Sequence, residues 1–323
     1  MGRARRVADG ARRPGAGGTA REGRGAGRPG ASGPPAFTRT FHAGAPAGHG
    51  GGQRGAGEKM KIIVLVKQVP DTTDVKLDPK TGTLIREGVP SIINPDDKHA
   101  IEAALALKDQ QGGSVSVLSM GPPQAEDALR EALAMGADEA ILLSDRAFAG
   151  ADTLATSYTL AMGVKNVGDY DLVLAGRQAI DGDTAQIGPQ VAEFLDLPQV
   201  TYVRDIKLGE GGKSLVVEKA MEDGYEVIET PLPALLTCIG DLNSPRYPTI
   251  KGIVAACRDC DIKVWGASDL GVSADAVGLN GSPTNVKRSF APEPKGDCRM
   301  IEGDMAAQVD GLISALRGDN VIK

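Results

Sequence analysis

Histidine is nearly missing from this chain of 323 residues: His42, His49 and His99 are the full set, and two of them fall within the first 59 residues. With one histidine in the remaining body, a histidine-based catalytic triad has little material, and a zinc site would need cysteines and carboxylates. Cysteine is scarce as well. Cys238, Cys257, Cys260 and Cys298 are too few and too irregularly spaced for a secreted disulfide framework. Cys257-Arg-Asp-Cys260 is a lone CxxC, read as reduced structural cysteines ahead of a metal or redox pair. No run approaches the roughly 18 apolar residues of a membrane helix, which argues against an integral membrane segment. No GxGxxG follows a strand, so the ordinary dinucleotide fingerprint is absent. Gly209-Glu-Gly-Gly-Lys-Ser214 looks like the end of a Walker A loop, but Lys207 stands where that motif needs glycine. The stretch also joins two predicted strands, so it reads as a hairpin turn.

Charge is divided unevenly along the chain. Residues 1–59 hold 11 Lys/Arg against 3 Asp/Glu, whereas the whole chain carries a net charge of −6. In that segment Gly, Ala, Arg and Pro make up 44 residues, and there is no Leu or Ile. It cannot bury a core, and a disordered tail is expected. It lacks the apolar region of a secretory signal and the apolar face of a transit peptide. A third reading is a misplaced start. Gly57-Glu58-Lys59 must be encoded by a purine-rich tract that resembles a bacterial ribosome-binding site, directly before Met60. The expectation is a start at Met60 and a cytoplasmic protein. The acidic body argues against a nucleic-acid surface.

From Met60 onward the pattern alternates between strands and helices. Ile62–Val66 is a continuous apolar run, as in a strand buried on both faces. Asn94-Pro95-Asp96-Asp97 opens a helix through about Asp109, with Asn94 as the expected cap. Strands are predicted at Ser114–Ser119, Ala140–Leu143 and Asp171–Ala175. Helices are predicted up to Met135, from Asp152 to about Met162, and from about Ala185 to Leu195. This rhythm predicts an α/β fold with an open parallel sheet and flanking helices. Val200–Leu208, Ser214–Met221 and Tyr225–Glu229 then read as an antiparallel meander, and Ala234–Ile239 as a possible return to the main sheet. A nucleotide-binding domain over 60–280 is followed by an extended C-terminal arm over 281–323, with a short helix near Asp304–Leu316.

Open parallel sheets bind ligands beyond the carboxyl ends of their strands. Four such ends are Lys67–Thr72, Met120–Pro123, Leu143–Asp145 and Gly176–Gly188. The last is the most informative: Gly176-Arg-Gln-Ala-Ile-Asp-Gly-Asp-Thr-Ala-Gln-Ile-Gly188 combines glycines, one guanidinium, a hydroxyl, two amides and a following helix. Backbone N–H groups at a helix start suit a phosphate, and Arg177 adds charge. Asp181 and Asp183 are awkward for an anion; they would bond ribose hydroxyls or turn the loop back on itself. The plainer alternative is an Asp-Gly turn with a helix cap.

These residues resemble the β subunit of electron transfer flavoprotein across 60–323. The resemblance is carried by VLVKQVPDT (64–72), INPDDKHAIEAALALKD (93–109), ALAMGADEAILL (132–143), VLAGRQAIDGDTAQIGPQVAEFLDLPQ (173–199) and TPLPALLTCIGDLNSPRYPTI (230–250). It implies an electron-carrying subunit that pairs with an α subunit. It also implies nucleotide contacts from Leu65, Asn94, Pro95, Asp96, Asp97, Met120, Gly176, Arg177, Gln178, Ala179, Ile180, Asp181, Gly182, Asp183, Thr184, Ala185, Gln186 and Ile187. Arg177 is expected near a diphosphate or a flavin ring, with pairing to Asp181 or Asp183 as the alternative.

In one branch of the family this subunit holds AMP; in the electron-bifurcating branch it holds a second FAD. The AMP branch carries an Asp-Asp-Asp-Cys-Asn-Gln-Thr run, where this chain has Gly182, Ala185 and Ile187. Together with Val69-Pro-Asp-Thr72, this favours FAD, with NADH as substrate of the complex. The implied partners are an acyl-CoA dehydrogenase and ferredoxin or flavodoxin. An ordinary carrier feeding a quinone reductase is the alternative, and a universal-stress-type regulatory module is the rival from another class. A docking loop is expected at 241–250. Leu242, Tyr247 and Ile250 are its apolar anchors, unless Ile250 starts a helix and packs inward.

Overall fold

The computed structural model describes residues 36–40, 59–71, 90–287 and 300–322. Thr72, most of the 1–59 segment and residues 288–299 of the C-terminal arm lie outside the described residues. Twelve strands and seven helices follow one another among the described residues.

The parallel sheet forms where continuous apolar runs were read. β2 (Met60–Leu65), β5 (Gly113–Met120), β6 (Glu139–Leu143) and β7 (Leu172–Gly176) are its first four strands. β2 lies between β7 and β5, and β6 pairs with β5 on its far side. Side chains alternate between two cores. Ile62, Val64, Val117, Leu142 and Leu174 face one cluster, which α1 (Pro95–Gln111) and α2 (Glu126–Met135) cover. Ile63, Leu65, Leu118, Ile141 and Val173 face the other, which α3 (Thr153–Val167) and α4 (Ile187–Phe194) cover. Helices on both faces explain why these strands read as unbroken hydrophobic runs rather than alternating ones.

The meander is present as β8 (Gln199–Leu208), β9 (Ser214–Met221) and β10 (Gly224–Pro231). A short 3-10 turn at Glu210–Gly212 joins β8 to β9, as expected for a hairpin rather than a phosphate loop. β11 (Ala234–Cys238) does return to the main sheet: it lies parallel between β7 and β8. It therefore joins the meander to the parallel half. β12 (Ile262–Trp265) adds a parallel strand beside β6, and a small antiparallel pair forms from β3 (Gln68–Pro70) and β4 (Ser91–Ile93).

Two expectations are corrected. Within the segment expected to be disordered, Ala36–Thr40 forms strand β1, parallel to Tyr225–Glu229 of β10. An edge strand offers unpaired backbone groups, and these five residues pair with them. Asn94 does not cap α1 with its side chain; its backbone carbonyl accepts from Asp97 N and Lys98 N instead. The short helices α5 (Ile250–Arg258) and α6 (Ala267–Leu270) follow the meander, and α7 (Met305–Gly318) is the expected late helix, capped by Asp304. Among the described residues no helix is long and apolar enough to cross a membrane.

Candidate functional site

The adjacent strands β2 and β7 end side by side, and one carboxylate closes the gap between them. Asp97, in the first turn of α1, accepts from Lys67 N at 2.8 Å and from Gly176 N at 3.0 Å. Burial pushes its pKa up from 3.8 to about 7, against the opposing effect of those bonds and of Asn94. Gly176 has to be glycine: an added Cβ would lie 2.3 Å from Asp97 Oδ1 and 2.8 Å from the Asp96 backbone.

Asn94, released from capping, clasps the loop after β7. Its Nδ2 donates to Gln178 O at 2.8 Å, and its Oδ1 accepts from Ile180 N at 3.1 Å. Arg177 N donates to Cys238 O on β11 at 2.8 Å. Asp181 turns inward to Lys67 Nζ at 2.6 Å, and Gln178 Nε2 donates to Asp183. Asp181 thus ties the loop to the body, while Asp183 closes the loop on itself. Asp183 and Ala185 adopt φ of 52° and 53°. That left-handed backbone costs a non-glycine residue about 1–2 kcal/mol and persists only where flanking contacts enforce it.

Beneath this loop lies a cavity of about 590 Å³. Of the residues anticipated from sequence, Leu65, Asp97, Met120, Gly176–Ala179 and Gly182–Ile187 line it. Asn94, Pro95, Asp96, Ile180 and Asp181 do not; Asn94 and Asp181 tether the loop instead. Arg177 lines the cavity and pairs with neither Asp181 nor Asp183. Its Nε is 3.5 Å from Asp96 Oδ2, and its guanidinium lies over the Tyr202 ring, 5.6 Å from the centroid. Burial raises the Asp96 pKa, and Arg177 acts against that.

Sequence reasoning missed one wall. Phe148, Gly150–Thr153, Thr156 and Leu160 close the cavity, with Val286 beside them. Asp152 holds this wall in place. Its Oδ1 caps α3 through Leu154 N and Ala155 N, and its Oδ2 accepts from Thr284 N and Oγ1. Burial opposes ionisation of Asp152, but the bonds from Ala155 N, Thr284 and Leu154 N outweigh it and lower its pKa. The Asp152 cap was legible; that its helix faces the loop after β7 was not.

The lining suits an adenine nucleotide or flavin nucleotide. Leu65, Met120, Phe148 and Leu160 give an apolar part. Arg177, the Thr184 hydroxyl and the start of α4 give a polar one. No side chain caps α4, so its first N–H groups remain available to an anion. The volume lies within the range of about 300–1,000 Å³ common for cofactor sites.

A model of the electron transfer flavoprotein domain matches residues 81–270. The chain belongs to the electron transfer flavoprotein family. It is similar to the caffeyl-CoA reductase-Etf complex subunit CarD of Acetobacterium woodii, at 59% identity over 265 residues, covering 81% of this chain and 100% of that one. The electron transfer flavoprotein subunit beta of Clostridium acetobutylicum is 56% identical over 263 residues, again 81% and 100%. Protein FixA of Azorhizobium caulinodans is 47% identical, covering 80% of this chain and 94% of its own. The chain is thus of the β-subunit type, and the regulatory-module alternative falls.

On the surface, the segment anticipated as a docking loop divides in two. Leu242 packs, partly buried, against the core. Tyr247 is 92% exposed and Ile250 84%. Ile250 does begin a helix, α5, but it does not pack inward.

Proposed function

We propose that this family member binds FAD in the cavity at the ends of β2 and β7. With an α subunit, it would form a complex that oxidises NADH and bifurcates the electrons. The proposed acceptors are an acyl-CoA dehydrogenase and a low-potential carrier such as ferredoxin or flavodoxin, all in the cytoplasm. The observation that carries this reading is the free space at Gly182: a Cβ added there meets nothing within 4 Å. A small residue at the cavity loop leaves room for a dinucleotide and removes fixed contacts to a lone monophosphate. The similarity to a subunit of a caffeyl-CoA reductase-Etf complex supports the pairing with an acyl-CoA-type enzyme.

Bound FAD supplies one- and two-electron redox chemistry. The chain's own residues bind and orient it. The α4 N–H groups and Arg177 take the phosphates. The Leu65, Met120 and Phe148 side chains exclude water, and the Asp97 joint fixes the strand ends relative to the loop. No acid–base group is required, in keeping with the shortage of histidine. Tyr247 and Ile250 form the apolar anchor for the acyl-CoA dehydrogenase. Ile250→Ala should weaken electron transfer to it while FAD and the α subunit stay bound; loss of the heterodimer would refute the anchor role.

Extraction of nucleotides from the purified heterodimer tests the central claim. Two FAD per heterodimer and no AMP is the expected result. One FAD with one AMP would instead place the protein among the ordinary carriers that feed a quinone reductase.

A further inference from the structure

Residues 243–249 have no helix or strand structure, yet they carry Tyr247 and lead directly into Ile250. A free loop would hold such anchors loosely, and ordering it on binding would subtract from affinity. This segment is instead fastened to one face of α1. His99 Nδ1 and Asn243 Oδ1 are 3.0 Å apart, and Asn243 Nδ2 donates to His99 O at 2.9 Å. One turn further along α1, Glu102 receives three bonds from a single residue: Arg246 N at 2.9 Å, Arg246 Nε at 2.8 Å and Arg246 Nη2 at 3.0 Å. Arg246 Nη2 also reaches Asp109 Oδ2 at 2.9 Å. The Glu102 side chain is only 12% exposed and that of Arg246 36%, so the carboxylate side of this two-pronged contact is shielded, and the bidentate geometry fixes the direction of the guanidinium. The segment's neighbour in sequence, Leu242, is packed on the core, while Tyr247 directly follows the fastened Arg246 and projects into solvent.

We infer that Glu102 and Arg246 are positioning residues for partner docking: their clamp presents Tyr247 and Ile250 in a preformed arrangement to the dehydrogenase. This rests on the docking reading above. Neither residue lines the nucleotide cavity, so the clamp acts on encounter with the partner rather than on the cofactor.

The test uses the α/β heterodimer with an acyl-CoA dehydrogenase as acceptor, titrated in concentration. Glu102→Gln should raise the apparent KM for the dehydrogenase about tenfold with kcat, flavin content and NADH-driven dye reduction unchanged. Arg246→Lys, which keeps the charge but loses the two-pronged contact, should do the same. Ile250→Ala is the control for docking itself. In the double variant, Glu102→Gln should add little to Ile250→Ala, because both remove one presentation. If Ile250→Ala leaves KM unchanged, the docking reading fails, and the clamp's role in docking fails with it. If Ile250→Ala raises KM but Glu102→Gln and Arg246→Lys do not, the clamp inference alone is overturned. Equal losses in KM, kcat and flavin content, or fully additive effects in the double variant, would reduce the clamp to a structural brace and also overturn it.

Discussion

Replacing Asp97 by asparagine probes the joint at the base of the cavity. The carboxylate satisfies Lys67 N and Gly176 N, and burial nevertheless pushes its pKa from 3.8 to about 7. That difference corresponds to on the order of 4 kcal/mol. Between about pH 4 and pH 7 the folded chain holds a proton that the unfolded chain has released. Stability from this site therefore falls as pH rises through that window and levels off above it. Asp97→Asn abolishes the titration. It also turns an amide NH₂ toward one of the two backbone donors, leaving Lys67 N or Gly176 N without an acceptor at a cost of about 1–3 kcal/mol. The variant should be the less stable protein at pH 5, and the gap should close or reverse at pH 8, where the parent carries a buried charge. Thermal unfolding of the heterodimer at both pH values measures this. The same gap at pH 5 and pH 8 would show that Asp97 does not titrate in the window and would refute the reasoning.

Three further changes address the same cavity. Gly176→Ala forces a Cβ against Asp97 Oδ1 and the Asp96 backbone, so a loss of about 1–3 kcal/mol is expected in thermal or urea unfolding. Gly182→Leu enters open space; stability should stay within about 0.5 kcal/mol while bound nucleotide per heterodimer falls. Arg177→Ala should weaken nucleotide binding by about 1.5–3 kcal/mol. Unchanged affinity and flavin potential would leave Arg177 only its contacts with Asp96 and Tyr202.

The elements that depend on local pattern were legible. Ile62–Val66 read as a doubly covered strand because each residue alternates between two apolar cores, and Pro95 marked the first turn of α1. β12 was missed because Ile262-Lys-Val-Trp265 is a half-exposed edge, with Val264 57% exposed, and its run is short. β3 and β4 have three residues each, too few for a period to show. The site was half legible. The loop 176–188 announced itself by glycines and polar groups at a strand end. The opposite wall, Phe148 to Leu160, carries no such signature, and its membership in the cavity arises because α3 packs beside α4 on one face of the sheet. Asn94 shows the limit of local rules: its sequence position says cap, but the nearby loop offers Gln178 O and Ile180 N, and the side chain goes there.

The placement of β11 sets a timetable for synthesis. All five residues of β7 are buried in the finished sheet, yet one edge of that strand stays open until β11 exists. The ribosome must add about sixty more residues between Gly176 and Cys238. At typical elongation rates that is about 3–12 s. Throughout that interval the nascent chain exposes an apolar, hydrogen-bond-hungry edge, the kind of surface that recruits a wrong strand. The meander emerges in the same interval and is joined to the parallel half through β11. The loop over the cavity waits too, because Arg177 N finds its acceptor only when Cys238 arrives. The cavity is therefore not closed as soon as its loop has been made. It is completed from downstream, by the strand that ends at Cys238.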